Sequence, residues 1–410
     1  MSSGSLHPVA VDEDPRRWRM LALLSAAMLL SLSAWMTATA VGGDFQDRWG
    51  LTSGQVGWLT TAVQLGFVVG TALAAVLNLA DVVPARWLFA TSAALAAVAN
   101  AALLFVPGYA TALVARGLTG VFLAGVYPPG MKMVSTWFRS ARGMAIGTVV
   151  GALTVGKALP YLLKAVGGTS LATVIGGASA CGLFAALLIG TSYQDGPFPF
   201  PKRAFEWSRL GRILRHRETM LATGGYLGHM WELYAMWTWV PTFLAVAAVG
   251  RVSPLTVDLV AFGTIAMGGL GCVWGGIAAD RIGRPRVVNL AMAVSGACCV
   301  LVGFSLGAPF YLIALLTWTW GFFVVADSAQ FSAMVTEVAP PDSVGTALML
   351  QTSLGFLLTM VTIQALPVMV DIVDWRWAFL LLAFGPAAGI ACIRRLSTGP
   401  RLQQSVGPPN

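Results

Sequence analysis

The stretch GGIAADRIGRPRVV, Gly275–Val288, is the most informative part of the sequence, because two long apolar runs meet at it. The run before it covers about 255–279, and the run after it covers about 286–306. Each run is long enough to cross a bilayer core as a helix, which takes about 20 apolar residues. The charged stretch between them therefore predicts a short turn that joins two membrane-spanning helices.

The rest of the chain repeats this pattern. Of the 410 residues, 57% are hydrophobic and only 10% are charged, whereas a soluble domain carries about 25% charged residues. We count twelve candidate spans: 18–40, 55–79, 86–106, 109–135, 142–165, 170–191, 219–245, 255–279, 286–306, 309–334, 343–366 and 375–393. The sequence predicts an all-α membrane protein with twelve transmembrane helices in two pseudo-symmetric six-helix halves.

The predicted organisation follows from the longest polar interruption, which divides the spans into six and six. It gives an N-terminal tail at 1–17, a first half at 18–191, a central loop at 192–218, a second half at 219–393 and a C-terminal tail at 394–410. Related residues recur at a nearly constant offset: Asp81 and Asp280 are 199 positions apart, and Gly143 and Gly345 are 202 apart. This offset indicates duplication, which is common among transporters.

The positive charge of the chain predicts its orientation. Of the 25 lysines and arginines, 19 fall on the side of the termini and the central loop, and 4 fall on the other side. The positive-inside rule then predicts cytoplasmic termini in the plasma membrane, the inner membrane of a bacterium. Because location explains the charge, we do not read it as nucleic-acid binding. The five cysteines lack metal-ligand spacing, so no metal is expected. No nucleotide loop or nucleophile motif appears, so neither an enzyme nor a bound cofactor is expected.

Two motifs place the chain near a known family. The turn after the eighth span resembles the signature of the major facilitator superfamily (MFS) in its residues Gly276, Asp280, Arg281, Gly283 and Arg284. A degraded copy after the second span keeps Gly70, Asp81, Pro84 and Arg86. ARGLTG, Ala115–Gly120, resembles the family's fourth-span motif. The resemblance covers essentially the whole chain and implies the MFS fold and transport by alternating access.

The same resemblance implies a set of gating residues at the cytoplasmic ends of the helices. It places Asp280 against the start of span five near Gly143, where the helix dipole favours a carboxylate, and Asp81 against span eleven near Gly345. Arg281 and Arg284 are expected to form ion pairs with Asp327 or Glu337. The predicted gating residues are Asp81, Arg86, Asp280, Arg281, Gly283, Arg284, Asp327 and Glu337.

The subfamily is less well defined. Spans two and eight contain no arginine, which argues against a nitrate porter. Gly147, Gly156 and Pro160 match half of the drug-antiporter motif of span five. The stretch TGVFLAGVYPPGMKMVSTWF, beginning at Thr119, resembles small-anion and cyanate-type porters.

Charges inside the spans point to the transport site, because a charge in a bilayer is costly and is usually functional. Arg116 and Lys157 are each expected to lie roughly 10 Å from the outer surface. Two cations at the same depth need a negative charge nearby, which predicts recognition of an anionic substrate. The alternative is that Glu232 supplies this negative charge. His229 and Glu232 share a face of span seven and predict a proton-coupling pair, the alternative being a structural pair. The predicted substrate-binding residues are Arg116, Lys157, Trp231, Tyr234, Gln64 and Gln351.

These observations predict a proton-coupled secondary transporter of a small anionic or zwitterionic metabolite. Its expected partners are that substrate, protons and the lipid bilayer, and the chain is expected to act as a monomer. One alternative is a proton antiporter that exports a drug or metabolite. Two features support it: the half-motif of span five and the many aromatic residues of span seven. A further alternative is a membrane sensor that does not transport. The intact turn RIGRPR argues against it, because a sensor would not need a gate.

Overall fold

A computed structural model describes residues 14–77, 79–139, 141–167, 170–198 and 207–397. The side chains of Ala80, Asp81, Trp207 and Ser208 fall outside this description. Every regular element within these ranges is a helix. The predicted all-helical fold class is therefore confirmed.

The helices follow the predicted order of spans. The first half contains α1 Arg16–Leu32, α2 Thr37–Ala40, α3 Gly42–Trp49, α4 Ser53–Val76, α5 Leu79–Val82, α6 Ala85–Ala101, α7 Tyr109–Leu123, α8 Tyr127–Ser135, α9 Arg142–Gly167 and α10 Leu171–Ser192. The central segment contains α11 Trp207–Arg215. The second half contains α12 Arg217–Ala248, α13 Pro254–Ile282, α14 Arg284–Phe304, α15 Phe310–Ala326, α16 Ser328–Val338, α17 Val344–Ala378 and α18 Leu380–Ser397.

Ten helical stretches in the described part of the chain are long and apolar enough to cross a membrane. The other two predicted spans correspond to α1, which has only 17 residues, and to α12, which has 32 residues and carries the buried His229 and Glu232. At 1.5 Å per residue, α12 is about 48 Å long, so it spans a bilayer despite its polar residues. The twelve predicted spans therefore all have helical counterparts.

The first and eleventh spans differ from their predicted forms. Span one is not continuous over 18–40, because the helix is interrupted at residues 33–36 between α1 and α2. Ser33 stabilises the interruption by donating its hydroxyl to the Leu30 and Ala178 carbonyls, at 2.7 and 3.2 Å. Span eleven continues past 366 to a break at Asp374, whose φ is 63°, and the last residues of α17 after this break belong to the predicted twelfth span. Hydropathy alone does not register the interruption at residues 33–36, because it lies within apolar sequence, whereas the break at Asp374 falls in the stretch VDIVDWR between the predicted spans eleven and twelve.

Glycines bring corresponding helices of the two halves together in the same way. A Cβ on Gly120 of α7 would collide with the Val63 carbonyl of α4, and a Cβ on Gly321 of α15 would collide with the Thr264 carbonyl of α13. Small residues permit such close backbone approach in membranes, where van der Waals packing replaces the hydrophobic effect between helices. The second and fourth spans of each half therefore form equivalent tight pairs.

The two halves meet along two helix pairs, α9 with α13 and α4 with α17. A Cβ on Gly151 of α9 would lie 2.7 Å from the Gly269 carbonyl oxygen of α13. We call the end of the bundle at which α1 begins and α18 ends the inner end, following the predicted orientation, and the opposite end the outer end. At the outer end, Lys164 and Asp258 join α9 to α13 at 3.6 Å, and the Gln364 amide of α17 hydrogen-bonds to the Thr61 hydroxyl of α4 at 3.0 Å.

Candidate functional site

A small cavity of about 50 Å³ lies between the two halves, near the middle of the bundle. A water molecule needs roughly 10–15 Å³ of such space, so the cavity holds no more than a few waters. It is lined from the first half by Leu32, Trp35, Tyr127, Val150, Leu153, Thr154 and Lys157, and from the second half by Tyr226, Met230, Leu233, Tyr234, Trp237, Val325, Ser328 and Phe356. Because both halves supply its walls, relative movement of the halves changes its size.

Lys157 is the charged residue in this wall. It lies on α9 and is buried, with only 4% of its surface exposed. Its Nζ donates to the Tyr234 hydroxyl at 2.5 Å, a hydrogen bond that crosses between the halves. No carboxylate forms an ion pair with Lys157 among the residues that the structure describes. The ammonium group thus sits in the cavity without a described counter-charge.

Three aromatic rings surround this ammonium group, and we call Trp35, Tyr234 and Trp237 the aromatic box. Their ring centroids lie 4.4, 4.7 and 5.0 Å from the Lys157 Nζ. Ring faces attract a cation through their quadrupoles, by about 2 kcal/mol or more when the group is desolvated. The indole N–H groups of Trp35 and Trp237 are buried and have no acceptor in the described structure. The box therefore presents hydrogen-bond donors that lack partners.

Arg116 lies inside the first half, apart from the residues that line the cavity. Its guanidinium donates to the Ala34 carbonyl at 2.9 Å, the Leu59 carbonyl at 3.3 Å and the Asn100 Oδ1 at 3.1 Å, and it also donates to the Trp35 carbonyl. Two of these acceptors belong to the interruption of the first span. The direct role of Arg116 in substrate binding stays a prediction, while its contacts show that it holds the chain segment that carries Trp35.

His229 pairs with Asp327 and not with Glu232. The His229 Nδ1 lies 2.9 Å from the Asp327 Oδ1, and both side chains are buried. Asp327 stands at the junction of α15 and α16, next to Ser328, which lines the cavity. Of the two acids expected to pair with Arg281 or Arg284, Asp327 therefore lies in the interior of the second half, and Glu337 is the one that forms an ion pair with Arg284.

Glu232 is directed toward α14 and α15, into the interior of the second half. It accepts hydrogen bonds from the Ser295 hydroxyl at 3.0 Å, the Cys299 thiol at 3.2 Å and the Trp320 indole N–H at 2.5 Å. These three donors explain how a carboxylate is accommodated in an apolar helix bundle. The expectation that Glu232 neutralises Arg116 or Lys157 is wrong, because its described partners are all within the second half.

At the inner end, the Arg284 Nε lies 2.8 Å from Glu337, and an Arg284 guanidinium nitrogen donates to Gln330 at 2.8 Å. The Asp280 carboxylate lies 3.4 Å from the position of a Cβ on Gly143, at the start of α9. This is the place that the resemblance implies for Asp280. Gly283 separates α13 from α14 with φ 87°, a left-handed conformation that favours glycine.

The remaining gating candidates have other surroundings. Arg86 donates twice to the Gly190 carbonyl of α10, so its contacts remain within the first half. Arg281 is exposed at the end of α13. The side chain of Asp81 lies outside the described residues.

The other predicted substrate-binding residues divide into two groups. Tyr234 lines the cavity, whereas Trp231 donates its indole N–H to the Leu381 carbonyl at 2.8 Å and packs toward α18. Gln64 and Gln351 are fully buried on α4 and α17, and both polar atoms of each amide lack a partner. Neither glutamine lines the cavity in this closed arrangement.

Trp35, Trp237 and Phe356 line the cavity but are not among the residues predicted from the sequence. Their signal was weak, because aromatic residues are common in membrane helices. The run SLSAWMTATA, Ser31–Ala40, did carry a clue. It interrupts the leucine-rich first span with small and hydroxylated residues, and Trp35 stands at its centre.

Two bundles of helices around a closed central cavity define a multi-pass membrane transporter. The family model of the Major Facilitator Superfamily matches residues 23–362, so the chain belongs to that family of secondary transporters. Family membership points to a transporter and not to an enzyme.

Among solved structures, 309 chains match. One of them, a crystal structure of a point mutant of the nucleoside transporter NupG, has a TM-score of 0.71 and 13% sequence identity over 93% of this chain and 99% of that chain. At this identity the likeness concerns the fold. No curated protein matches the sequence.

Proposed function

We propose that the protein is a proton-coupled secondary transporter of a small anionic or zwitterionic metabolite. It would act as a monomer in the plasma membrane, or the inner membrane of a bacterium, with both termini in the cytoplasm. The observation that carries this proposal is the set of donors in the cavity wall that exceeds the described acceptors and counter-charges. The Lys157 ammonium donates to the Tyr234 hydroxyl but has no described counter-charge, and the indole N–H groups of Trp35 and Trp237 have no described acceptor.

Charge balance in a site of low dielectric favours an anionic substrate. A buried ammonium group without an ionic partner is costly, and ring faces compensate for only part of that cost. A substrate carboxylate would supply both the missing negative charge and the missing acceptors. Charge-assisted hydrogen bonds are roughly twice as strong as neutral ones, so Lys157 would contribute most to recognition. Tyr234 would act beside it as a second donor.

We assign proton coupling to three buried ionisable residues of the second half: His229, Asp327 and Glu232. Asp327 and His229 lie immediately behind the cavity wall, since their chain neighbours Ser328 and Met230 line it. An imidazole beside a carboxylate can accept and donate a proton, which suits a group that takes part in proton transfer during the transport cycle. Glu232 lies almost one helical turn beyond His229 on α12. We propose that these three residues hold the coupling proton, and that Asp327 takes this role in place of gating.

Gating is proposed for the inner end. The Arg284–Glu337 pair and the Asp280 contact with the start of α9 would stabilise the arrangement in which the inner end is closed. Arg116 is proposed to support the site indirectly, by holding the Trp35 segment in place. Gln64 and Gln351, on the two helices that meet across the halves, are proposed to contact substrate when the halves move apart.

The test combines a binding screen with a variant that removes the charge. A bound ligand stabilises the folded state by mass action, so purified protein is screened with metabolite anions in a thermal-shift assay. Lys157→Met keeps an unbranched side chain but removes the ammonium group, and it should abolish the shift. Lys132→Met, at the end of α8 and outside the cavity wall, is the matched control. Hits that persist in Lys157→Met would contradict recognition by Lys157.

A hit then enters a transport assay in proteoliposomes. Uptake should rise when an inward-directed proton gradient is imposed and should fall when a protonophore dissipates it. Anion uptake that ignores the gradient would contradict proton coupling while leaving the substrate class in place.

The second candidate is a proton antiporter that exports an amphipathic cation. The aromatic box favours it, because three ring faces around an ammonium are also the chemistry that binds organic cations. Everted vesicles distinguish the two candidates. Only the antiporter should accumulate an organic cation in exchange for protons, and Lys157→Met should then improve binding of the cation by removing a like charge.

A further inference from the structure

The cavity combines its unpaired donors with an unusually continuous aromatic surface. Beyond the box, Phe67 and Phe356 extend this surface, with ring centroids 4.7 Å apart. Trp35 lies 5.1 Å from Phe67 and 5.7 Å from Phe356. Tyr234 lies 5.5 Å from Phe356. The rings thus form one cluster around the position of the Lys157 ammonium.

The cluster is built by both halves. Trp35 on the interrupted first span and Phe67 on α4 belong to the first half, whereas Tyr234, Trp237 and Phe356 belong to the second. Rings that face each other across this boundary separate when the halves move apart. A flat apolar body that enters between them would cover the ring faces that this movement uncovers. Aromatic pairs contribute binding free energy beyond that of the area that they bury.

We propose that the substrate is an aryl carboxylate, a small anion in which a planar ring carries the carboxylate group. The inference rests on the proposed function and narrows its substrate class. The carboxylate would accept hydrogen bonds from Lys157, Tyr234 and an indole N–H of the box. The ring would lie between the aromatic faces of the two halves. A compact aliphatic anion would satisfy the donors but would leave the separated rings exposed to water.

The geometry also accounts for the present size of the cavity. At about 50 Å³ it is too small for an aromatic ring. The rings now contact one another, and the Lys157 ammonium lies over three of them. Substrate binding would replace these contacts among the rings and the ammonium group with contacts of the same kind to the substrate. The same residues would therefore line the closed cavity with and without substrate.

The experiment measures binding of four probes to the purified full-length chain by isothermal titration calorimetry. Benzoate carries both features, cyclohexanecarboxylate keeps the charge and approximate size but lacks a flat ring, acetate carries the charge alone, and benzylamine carries the ring with a positive charge. Benzoate should bind about tenfold more tightly than cyclohexanecarboxylate, because only a flat ring can stack on the ring faces of both halves, and tenfold in affinity corresponds to about 1.4 kcal/mol. Acetate should bind more weakly still.

Single substitutions test which side chains are responsible for the affinity for benzoate. Lys157→Met should lower benzoate affinity by at least about tenfold, and Phe356→Leu should lower benzoate affinity by about threefold to tenfold with little change for cyclohexanecarboxylate. Trp58→Leu, on the exposed face of α4, is the control for loss of an aromatic residue. Lys157→Arg keeps the charge and retains measurable binding if Lys157→Met fails to fold.

The outcomes separate this inference from the proposed function. If both carboxylates bind equally, or if acetate binds as well as benzoate, the aryl class is wrong while an anionic substrate stands. If benzylamine binds and no carboxylate does, both proposals are wrong. If folded wild-type protein binds none of the four probes, the aryl carboxylate proposal is also wrong.

Discussion

Replacing Arg116 by lysine should destabilise the first half, although the positive charge is retained. In the native structure the guanidinium donates to four separate acceptors: the carbonyls of Ala34, Trp35 and Leu59 and the side chain of Asn100. A guanidinium has five donors in a rigid planar fork, whereas an ammonium group is a compact point charge with three. Lysine cannot reach acceptors on three different segments at once.

The magnitude follows from the acceptors left without a donor. If the ammonium group satisfies two of the four, two buried oxygen atoms lose their partners. Each unsatisfied buried polar group costs about 1–3 kcal/mol, so Arg116→Lys should lower the stability of the fold by about 2–6 kcal/mol. The loss should be largest at the interruption of the first span, since two of the acceptors are there. Displacement of Trp35 should then weaken ligand binding as a secondary effect.

The assay is thermal unfolding in detergent at a fixed heating rate, read out by the monodisperse fraction on size-exclusion chromatography. A fixed rate is needed because unfolding of a large membrane protein is often irreversible. Arg86→Lys is the matched control, because Arg86 donates only to the Gly190 carbonyl among the described residues and a lysine ammonium can satisfy a single acceptor. Equal midpoints for Arg116→Lys and Arg86→Lys would mean that the four acceptors do not depend on the guanidinium fork. Weaker binding by a fully stable Arg116→Lys protein would instead indicate direct recognition by Arg116.

Three further predictions concern coupling, gating and the movement of the halves. Glu232→Gln should abolish proton-driven uptake in proteoliposomes and preserve substrate exchange, because exchange requires alternation but no net proton movement. Equal loss of both activities in a folded protein would mean that Glu232 has a structural role. Arg284→Ala should lower the maximal transport rate more than ligand affinity, because it removes the Glu337 and Gln330 contacts at the inner end and leaves the cavity intact; a large affinity change at an unchanged rate would argue against gating. Gly151→Val should slow transport several-fold, because a Cβ would lie only 2.7 Å from the Gly269 carbonyl oxygen where the halves meet. Gly176→Val, whose Cβ would meet no neighbouring atom within 4 Å, is its control, and equal rates for the two variants would contradict this account.

The fold followed from the sequence because membrane spans carry a strong local signal. Runs of about 20 apolar residues are set by bilayer thickness, and they predicted the membrane-spanning helices between α4 and α16 within a few residues. The turn at Gly275–Val288 supplied the family, and the position of Asp280 against Gly143 agrees with the place that this resemblance implies. The interruption of the first span was not predictable in this way, since Ser33 does not alter the hydropathy of its apolar surroundings enough.

The sequence alone identified which charges are buried in the membrane, but their partners depend on tertiary packing. Glu232 and His229 share a helix, yet one bonds to Ser295, Cys299 and Trp320 and the other pairs with Asp327. Arg116 and Lys157 have similar depths, yet one is enclosed by carbonyl groups and the other by aromatic rings. The physical reason is that helical periodicity fixes the direction of a side chain only relative to its own helix. Its partners depend on how that helix rotates and packs against helices distant in sequence, which is set by glycine contacts and interruptions throughout the bundle.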